Sequence, residues 1–495
     1  MKLAQILPDV SFEKSLGELD VEGLASDSRE VRPGFVFFAI SGTQDSGLKY
    51  ITDAEQRGAI AVIHDTRHHL TSQAPLVPVK NVRESVARAA SLFFGESSRQ
   101  FYLTGITGTN GKTTFTYLMN ALAPAGTSGV IGTVKIRYGN IVQDTAHTTP
   151  DAITLQNLFA NMRESSIKTV AMEVSSHALE QYRAHFSHFD SAVFTNLTQD
   201  HLDYHKDMEN YFAAKLKLFT ECLVQSDKPK KRAVINIDSP YGQRIIQMLR
   251  AHPEIEIVTS SLADRAATIF LEESTFDFSG TRATLNWSGE KISLATNLIG
   301  AHNVQNIMGA LLAGEHRGFD RNEMISKLSL VQVPGRLERV GNGNIFVDYA
   351  HSPDALENVI NAMDKLRSQQ SRGGRLVVLF GCGGDRDQLK RPLMGEIAAK
   401  RADVVLITSD NPRTEDPRDI IDDILEGVIP HKKKFDGKHG YLIEVDRETA
   451  LEELAQLLEP EDIALIAGKG HEDYQIIGKE KRYFDDREIL AGLVK

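Results

Sequence analysis

The chain has 495 residues, 41% hydrophobic and 25% charged, with a formal net charge of -11; at roughly 150 residues per domain this length suits about three domains, each able to bury its own core. The acidic balance argues against a broad nucleic-acid-binding surface, and two cysteines, Cys222 and Cys382, are too few for a disulfide framework and suit a reducing compartment. No run approaches the ~20 apolar residues of a membrane-spanning helix, and residues 1–16 lack the apolar core of a signal peptide, so a cytoplasmic protein without a membrane span is expected.

Residues 1–88 read as a small α/β unit. Buried strands are predicted at 34–40 and 59–63, with a helix over 52–57. Residues 89–333 read as a second unit. A strand at 101–107 runs into a glycine-rich turn and a helix from Lys112; strands at Thr169–Glu173, 191–195 and 233–236, with helices between them, predict a mainly parallel sheet. Alternation at 284–286 and 292–296 predicts a small antiparallel insert. The helix 211–223 carries Phe212, Leu216 and Phe219 on one stripe, and by pattern alone its Lys215 is a surface lysine. The basic runs 228–232 and 432–434 read as solvated loops. Residues 334–495 restart the alternation, with strands at Ile345–Asp348, Leu376–Phe380, 404–408 and Ile463–Ala467 and helices at 355–366, 394–401, 418–427 and 448–458. Pro353 and Pro417 stand at helix starts, where a missing N–H costs nothing. The fold class is α/β in three domains: a small N-terminal α/β domain, a central P-loop mononucleotide-binding parallel-sheet domain, and a C-terminal Rossmann-like doubly wound domain whose sites belong at the carboxyl ends of its strands.

Gly108-Thr109-Asn110-Gly111-Lys112-Thr113-Thr114 follows a strand and opens a helix. Glycines let backbone N–H groups turn onto phosphates, the helix N-terminus adds partial positive charge, Lys112 adds a full one, and the Thr113 hydroxyl suits magnesium. The usual glycine six residues before the lysine is replaced by Ile106, with glycines at Gly105 and Gly108 instead. The loop specifies a nucleotide, not a reaction: a kinase, a GTPase, a motor ATPase and a ligase could all own it. Two polar clusters, Glu173-Val174-Ser175-Ser176-His177 and Asn196–His205, follow later strands. In a parallel sheet they share the loop's edge, where Glu173 and His201 could hold magnesium; each could equally be a helix cap or polar turn. A zinc site at His201 and His205 is disfavoured, since no Glu follows the first His.

The loop, the Met172–His177 cluster, the run 195–205, Gly300–Asn306, Pro334-Gly335-Arg336 and Val347–Pro353 occur in this order. The series resembles the muramyl-peptide (Mur) ligases over residues 25–487, with folylpolyglutamate synthases as more distant relatives. Within the family, the chain is similar to members that add meso-diaminopimelate to a UDP-linked muramyl dipeptide. The resemblance implies an ATP-dependent acid–amino-acid ligase of peptidoglycan precursor synthesis, working through an acyl phosphate, with magnesium and a monomeric chain. It implies that the first domain, with Ser26, Ser28, Thr43, Gln44 and Asp45, holds the uridine nucleotide, and that His147, Thr148, Thr149, Ser175, Gln181 and Arg183 hold the muramyl dipeptide. It implies nucleotide contacts at Asn303, Arg336 and Asp348, and a magnesium set of Thr113, Glu173, His201 and Lys215, the last carbamylated by carbon dioxide. In the third domain Asp410-Asn411-Pro412-Arg413, with Arg386, Gly468 and Glu472, matches the family's diaminopimelate contacts. Diaminopimelate differs from lysine by one carboxylate, which a planar guanidinium can hold with two parallel hydrogen bonds. A lysine-adding relative, a folylpolyglutamate-type ligase, a P-loop ATPase or kinase and a non-catalytic relative remain the alternatives.

Overall fold

The computed structural model describes all residues except 12, 43–45, 66–69, 146, 342–343, 370–372 and 495. Three separate parallel-strand sheets organise the chain. The first has four parallel strands in chain order: Gly23–Ala25, Phe35–Phe38, Ala61–His64 and Leu76–Pro78. The helix Val82–Phe93 starts where Asn81 Oδ1 accepts from the N–H groups of Arg83 and Glu84, and buries Val82, Val86, Ala87 and Ala90 against one face of this sheet. The helix Ile51–Gln56 covers the other face through Ile51 and Ala54.

The second sheet has eleven strands. Its centre is parallel, in the order Ile255–Ser261, Lys231–Asn236, Ser191–Phe194, Tyr102–Thr107, Thr169–Glu173, Ser128–Ile131. These strands are buried on both faces, which is why they read as continuous apolar runs. The expected small insert is instead a continuation of this sheet: Ile269–Asp277, Gly280–Trp287 and Glu290–Thr296 form an antiparallel meander joined to its edge through Ser260 and Ser261. The basic run 228–232 is not a solvated loop. Lys231 and Arg232 are buried in a strand, Arg232 pairing with Glu256 at 2.9 Å and Glu315 at 3.1 Å, and Lys228 meets Asp190 at 2.9 Å.

The third sheet has the order Glu338–Arg339, Ile345–Asp348, Ile463–Ala467, Leu376–Phe380, Val404–Ile407, Gly440–Ile443, parallel except for the first strand. Alternate residues feed opposite faces. Leu376, Val378 and Phe380 meet the helices Pro353–Ser368, Lys390–Arg401 and Pro417–Val428, while Val377 and Leu379 meet Arg447–Leu457 and Asp486–Leu493. Both sheet faces are therefore covered, as the doubly wound reading requires. Pro353 and Pro417 occupy the first helical turn. Among the described residues no helix is long and apolar enough to cross a membrane.

Beneath the carboxyl ends of this sheet lies an ion pair with no exposed surface. Arg447 pairs with Asp486 through two 2.8 Å hydrogen bonds and donates to the carbonyls of Ser409 (3.3 Å) and Ala467 (3.2 Å). Removing one partner leaves a buried charge uncompensated. Asp486→Ala is expected to lower stability by about 3–5 kcal/mol, measured as the shift of the urea midpoint.

Candidate functional site

The strands Tyr102–Thr107, Thr169–Glu173 and Ser191–Phe194 are direct neighbours, so the segments leaving their carboxyl ends converge. The glycine-rich loop leaves the middle strand. Gly111 has φ +88°, and a Cβ on Gly108 (φ +150°) would lie 1.9 Å from Thr195 Oγ1, so close approach and left-handed backbone both exclude side chains there. Thr195 Oγ1 donates to the Asn110 carbonyl (2.6 Å), Asn110 N–H donates to Asn196 Oδ1 (2.9 Å), and Thr109 Oγ1 donates to the Thr198 carbonyl (3.1 Å). The loop is thus held by the segment after its neighbouring strand. Lys112 Nζ donates to the carbonyls of Gly108 (2.9 Å) and Thr109 (2.8 Å), spanning the loop from inside.

Glu173, 1% exposed, ends the next strand. Its Oε1 accepts from Thr113 Oγ1 and from Thr133 N–H, both at 2.9 Å, and its Oε2 accepts from Thr133 Oγ1 at 3.0 Å. His201, in left-handed backbone (φ 56°), stands 3.5 Å from Asp200. Burial, aided by His177, Lys215 and Lys112, pushes its imidazole down to about 3, so it is neutral and free to ligate. Lys215 corrects the surface reading. It is 1% exposed, donates from Nζ to the Gly108 carbonyl at 2.8 Å, and lies 4.5 Å from the centre of the Tyr211 ring. Burial, then the charge of Lys112, holds its amine well below the usual lysine range. The helix pattern had given Lys215 a direction but not a depth. The expected helix 211–223 is an α-helix over Met208–Lys217 followed by a π-helical turn over Leu218–Leu223.

A cavity of about 730 Å³ lies between the second and third sheets. The loop residues Thr109–Thr114, Glu173, Ser175, His201 and Lys215 line one wall; Arg336, Asp348, Arg386, Arg413, Gly468 and Glu472 line the other, with Asn303 between. Asp348 Oδ2 accepts from Leu337 N–H at 2.7 Å, and burial raises its carboxyl to about 6. Arg336 lies 4.7 Å from the Tyr349 ring centre. Asn303 is buried and donates to the Ile299 carbonyl at 2.9 Å. Arg413, at φ 52°, is aimed by hydrogen bonds from Nη1 to the carbonyls of Gly384 (2.7 Å) and Asn411 (3.5 Å). Asn411 Nδ2 donates to Glu472 Oε2 at 2.8 Å. Asp410 Oδ1 is buried without a hydrogen-bond partner among the described residues, the Lys469 ammonium standing 3.7 Å away. Pro412 is buried in the same turn.

Not every expected residue reaches the cavity. Thr148 lines it, whereas His147 is exposed and Thr149, Gln181 and Arg183 stand behind Ser175. Arg183 donates to the Thr149 carbonyl (3.0 Å) and to Gln181 Oε1 (2.8 Å), at a seam where Tyr182 and Phe186 pack on the core of the first unit. Ser26 and Ser28 belong to the first unit, of which no described residue lines the cavity. Thr43, Gln44 and Asp45 lie outside the described residues. Sequence reasoning missed Thr133, Tyr211, Asp200 and Lys390. Asp200, 4% exposed, sits 3.5 Å from Lys390 and 3.8 Å from His351, joining the second unit to the third. The run 195–205 had been singled out, but nothing local marks its aspartate as the one facing a distant lysine.

Gly108→Ala forces a methyl into Thr195 and is expected to weaken nucleotide binding by about tenfold or more, measured by titration calorimetry, with the circular dichroism spectrum kept.

Three family descriptions match the chain: the Mur ligase family catalytic domain over residues 20–94, the Mur ligase middle domain over 106–314, and the Mur ligase glutamate ligase domain over 335–470. A UDP-N-acetylmuramoyl-L-alanyl-D-glutamate–2,6-diaminopimelate ligase of Geobacter metallireducens is 42% identical over 96% of this chain and 94% of its own length. A protein of the same name from Aquifex aeolicus is 40% identical over 95% and 94%. A solved structure of an enzyme with that name superposes with a TM-score of 0.71 at 32% identity, covering 100% of this chain and 98% of the other. The chain belongs to the Mur ligase family.

Proposed function

We propose that this chain is an ATP-dependent ligase that joins meso-diaminopimelate to the D-glutamate γ-carboxylate of UDP-N-acetylmuramoyl-L-alanyl-D-glutamate, releasing ADP and phosphate. The observation that carries the reading is one cavity with a phosphate loop on one wall and the Asp410–Arg413 turn on the other. A division of labour goes with it: residues 1–88 hold the uridine nucleotide, 89–333 the ATP and 334–495 the amino acid, although the helix Val82–Phe93 straddles the first boundary, packing on the first sheet and also meeting Ala152 and Phe186 of the second unit. The seam at Gln181 and Arg183 supports a dipeptide path from the first unit towards Thr148 and Ser175.

A carboxylate does not condense with an amine at neutral pH, because its oxygen is a poor leaving group. In the proposed reaction the γ-carboxylate oxygen attacks the γ-phosphorus of ATP and the bond to the β-phosphate oxygen breaks, giving ADP and an acyl phosphate. The neutral diaminopimelate amine then attacks that carbonyl, and the tetrahedral adduct expels phosphate and one proton as the amide forms. Lys112 and the loop N–H groups position the triphosphate, which is most of what phosphoryl transfer requires. The third unit, through Arg336, Lys390 and the Asp348–His351 segment, walls the site from water that would destroy the acyl phosphate.

Magnesium, when bound, would neutralise the triphosphate and orient its terminal group. Among the described residues no three His, Cys, Asp or Glu side chains gather to hold a metal alone. The donor set fits one that takes phosphate oxygens as further ligands: the Thr113 hydroxyl, Glu173, neutral His201, and Lys215 once it carries a carbamate. Lys215 suits that change, since the neutral amine is the form that adds carbon dioxide, becoming an anionic N-carboxylate with loss of one proton, and burial with the charge of Lys112 favours loss of the ammonium proton.

A product assay with ATP, the UDP-linked dipeptide and either diaminopimelate or lysine tests the reading; coupling of lysine as readily as diaminopimelate overturns the assigned substrate. Arg413→Ala is expected to raise the KM for diaminopimelate by about 10- to 100-fold, the scale of one charged hydrogen bond, with the affinity for ATP unchanged. Lys215→Ala is expected to lose activity and to regain part of it with added short carboxylic acids, read by phosphate release.

A further inference from the structure

Lys469 has no exposed surface, yet it stands among the groups assigned above to the amino acid. Its Nζ lies 3.3 Å from Glu472 Oε2, 3.5 Å from Asn411 Oδ1 and 3.7 Å from Asp410 Oδ1, and it donates to the Tyr474 carbonyl. One ammonium therefore touches the acidic pair Asp410 and Glu472 and the asparagine between them. We propose that Lys469 is a positioning residue for diaminopimelate, a built-in counter-cation that bridges Asp410 and Glu472 and holds them spaced to receive the ammonium of the substrate's distal end. This inference rests on the proposed function.

The need for such a cation follows from the crowding. Glu472 is largely buried, and burial, then the charge of Asp410, raises its carboxyl, while Lys469 and Asn411 pull the other way. Two buried carboxylates facing one space tend to share a proton. A protonated carboxyl offers no charge to an incoming ammonium. With Lys469 in place the two acids and one lysine sum to a single negative charge, which matches one ammonium. The other groups facing Glu472 do not provide this. Tyr349 and Tyr474 donate their hydroxyls to Oε1 at 3.4 and 3.3 Å, and Arg447 lies beneath the sheet ends, paired with Asp486. Arg413 is directed at Gly384, and Arg386 at the carbonyl of Asp385. Among the described residues, Lys469 is the cation at ion-pair distance from both acids.

The test compares parent enzyme, Lys469→Met and Lys469→Arg. In Lys469→Met the KM for diaminopimelate is expected to rise about tenfold or more near pH 7. It should fall back as the pH is raised above 7, because loss of the cation pushes the Glu472 carboxyl further up and its charge returns as protons are removed. The parent and Lys469→Arg should show a flat KM over this interval. The KM for ATP and the trapping of the acyl phosphate by hydroxylamine without amino acid should match the parent in all three, which shows the variants folded. An unchanged KM for diaminopimelate in Lys469→Met, a rise that ignores pH, or a parallel loss of acyl-phosphate trapping overturns the inference in favour of a purely structural lysine. Should Lys469→Met fail to fold, the parent profile decides: a flat KM supports the role, and a steep rise towards pH 7 shows a pair that shares a proton despite Lys469 and overturns it. A parent that couples a different amino acid defeats the proposed substrate instead, and the same ratios with that amino acid still decide the role of Lys469.

Discussion

Like charges must be brought together for a carboxylate to attack a triphosphate, and this constraint shapes the whole cavity. Two unit negative charges 4 Å apart repel by about 4 kcal/mol at an effective dielectric of 20, and a triphosphate carries several. The protein meets this with cations from different directions. Lys112 comes from the loop, and Arg336 and Lys390 from the third unit. Lys112 donates to backbone carbonyls, which are weak competitors for an anion, so it can turn to phosphate at small cost. Lys390 is held in a buried pair with Asp200 at 3.5 Å, so its charge is already partly matched.

The same constraint explains why Glu173 is so thoroughly bound. An anionic carboxylate beside a phosphate loop is repelled unless donors fix it. Here a hydroxyl from the loop helix and both the N–H and hydroxyl of Thr133 hold its two oxygens. The arrangement leaves Glu173 aimed at the point where a cation would sit between it and the nucleotide. It also ties three strands' loops together, so the geometry of the loop depends on the sheet rather than on the loop alone.

What could be read from sequence was what is local. The phosphate loop, the strand before it and the prolines at helix starts depend on a few neighbouring residues, and the structure has them as expected. The order of the sheets also follows from alternation of strands and helices, because parallel pairing leaves few topologies. Depth did not follow. Lys215 and the pair Lys231 and Arg232 look like surface cations because a helix or strand pattern specifies direction, while burial depends on partners such as Gly108, Glu256 and Glu315 that are remote in the chain. The antiparallel meander was legible as strands, but its attachment to the main sheet rests on the pairing of Ser260 and Ser261 with Ile269 and Phe270. Asp200 and Lys390 had no local signal at all, since each acquires meaning only across two units.

Those cross-unit contacts have a character that fits catalysis in separate stages. Asn110 Nδ2 donates to Asp354 at 3.0 Å, and Asp200 faces Lys390 and His351 at 3.5 and 3.8 Å. They touch the phosphate loop's own neighbourhood, and beside them Phe276, Phe278 and Ile299 of the second unit pack on the core of the third, Phe278 stacking on Phe346 at 6.2 Å. This mixed polar and apolar seam holds the two units in register around the cavity. The acidic pair and arginines assigned to the amino acid in the proposed reaction lie within that third unit, on a sheet whose core takes in only Phe276, Phe278 and Ile299 from the second. In that reading, selection of the amine and activation of the carboxylate rest on different sheets. Their meeting place is the cavity between them, bordered by the buried pair of Asp200 and Lys390.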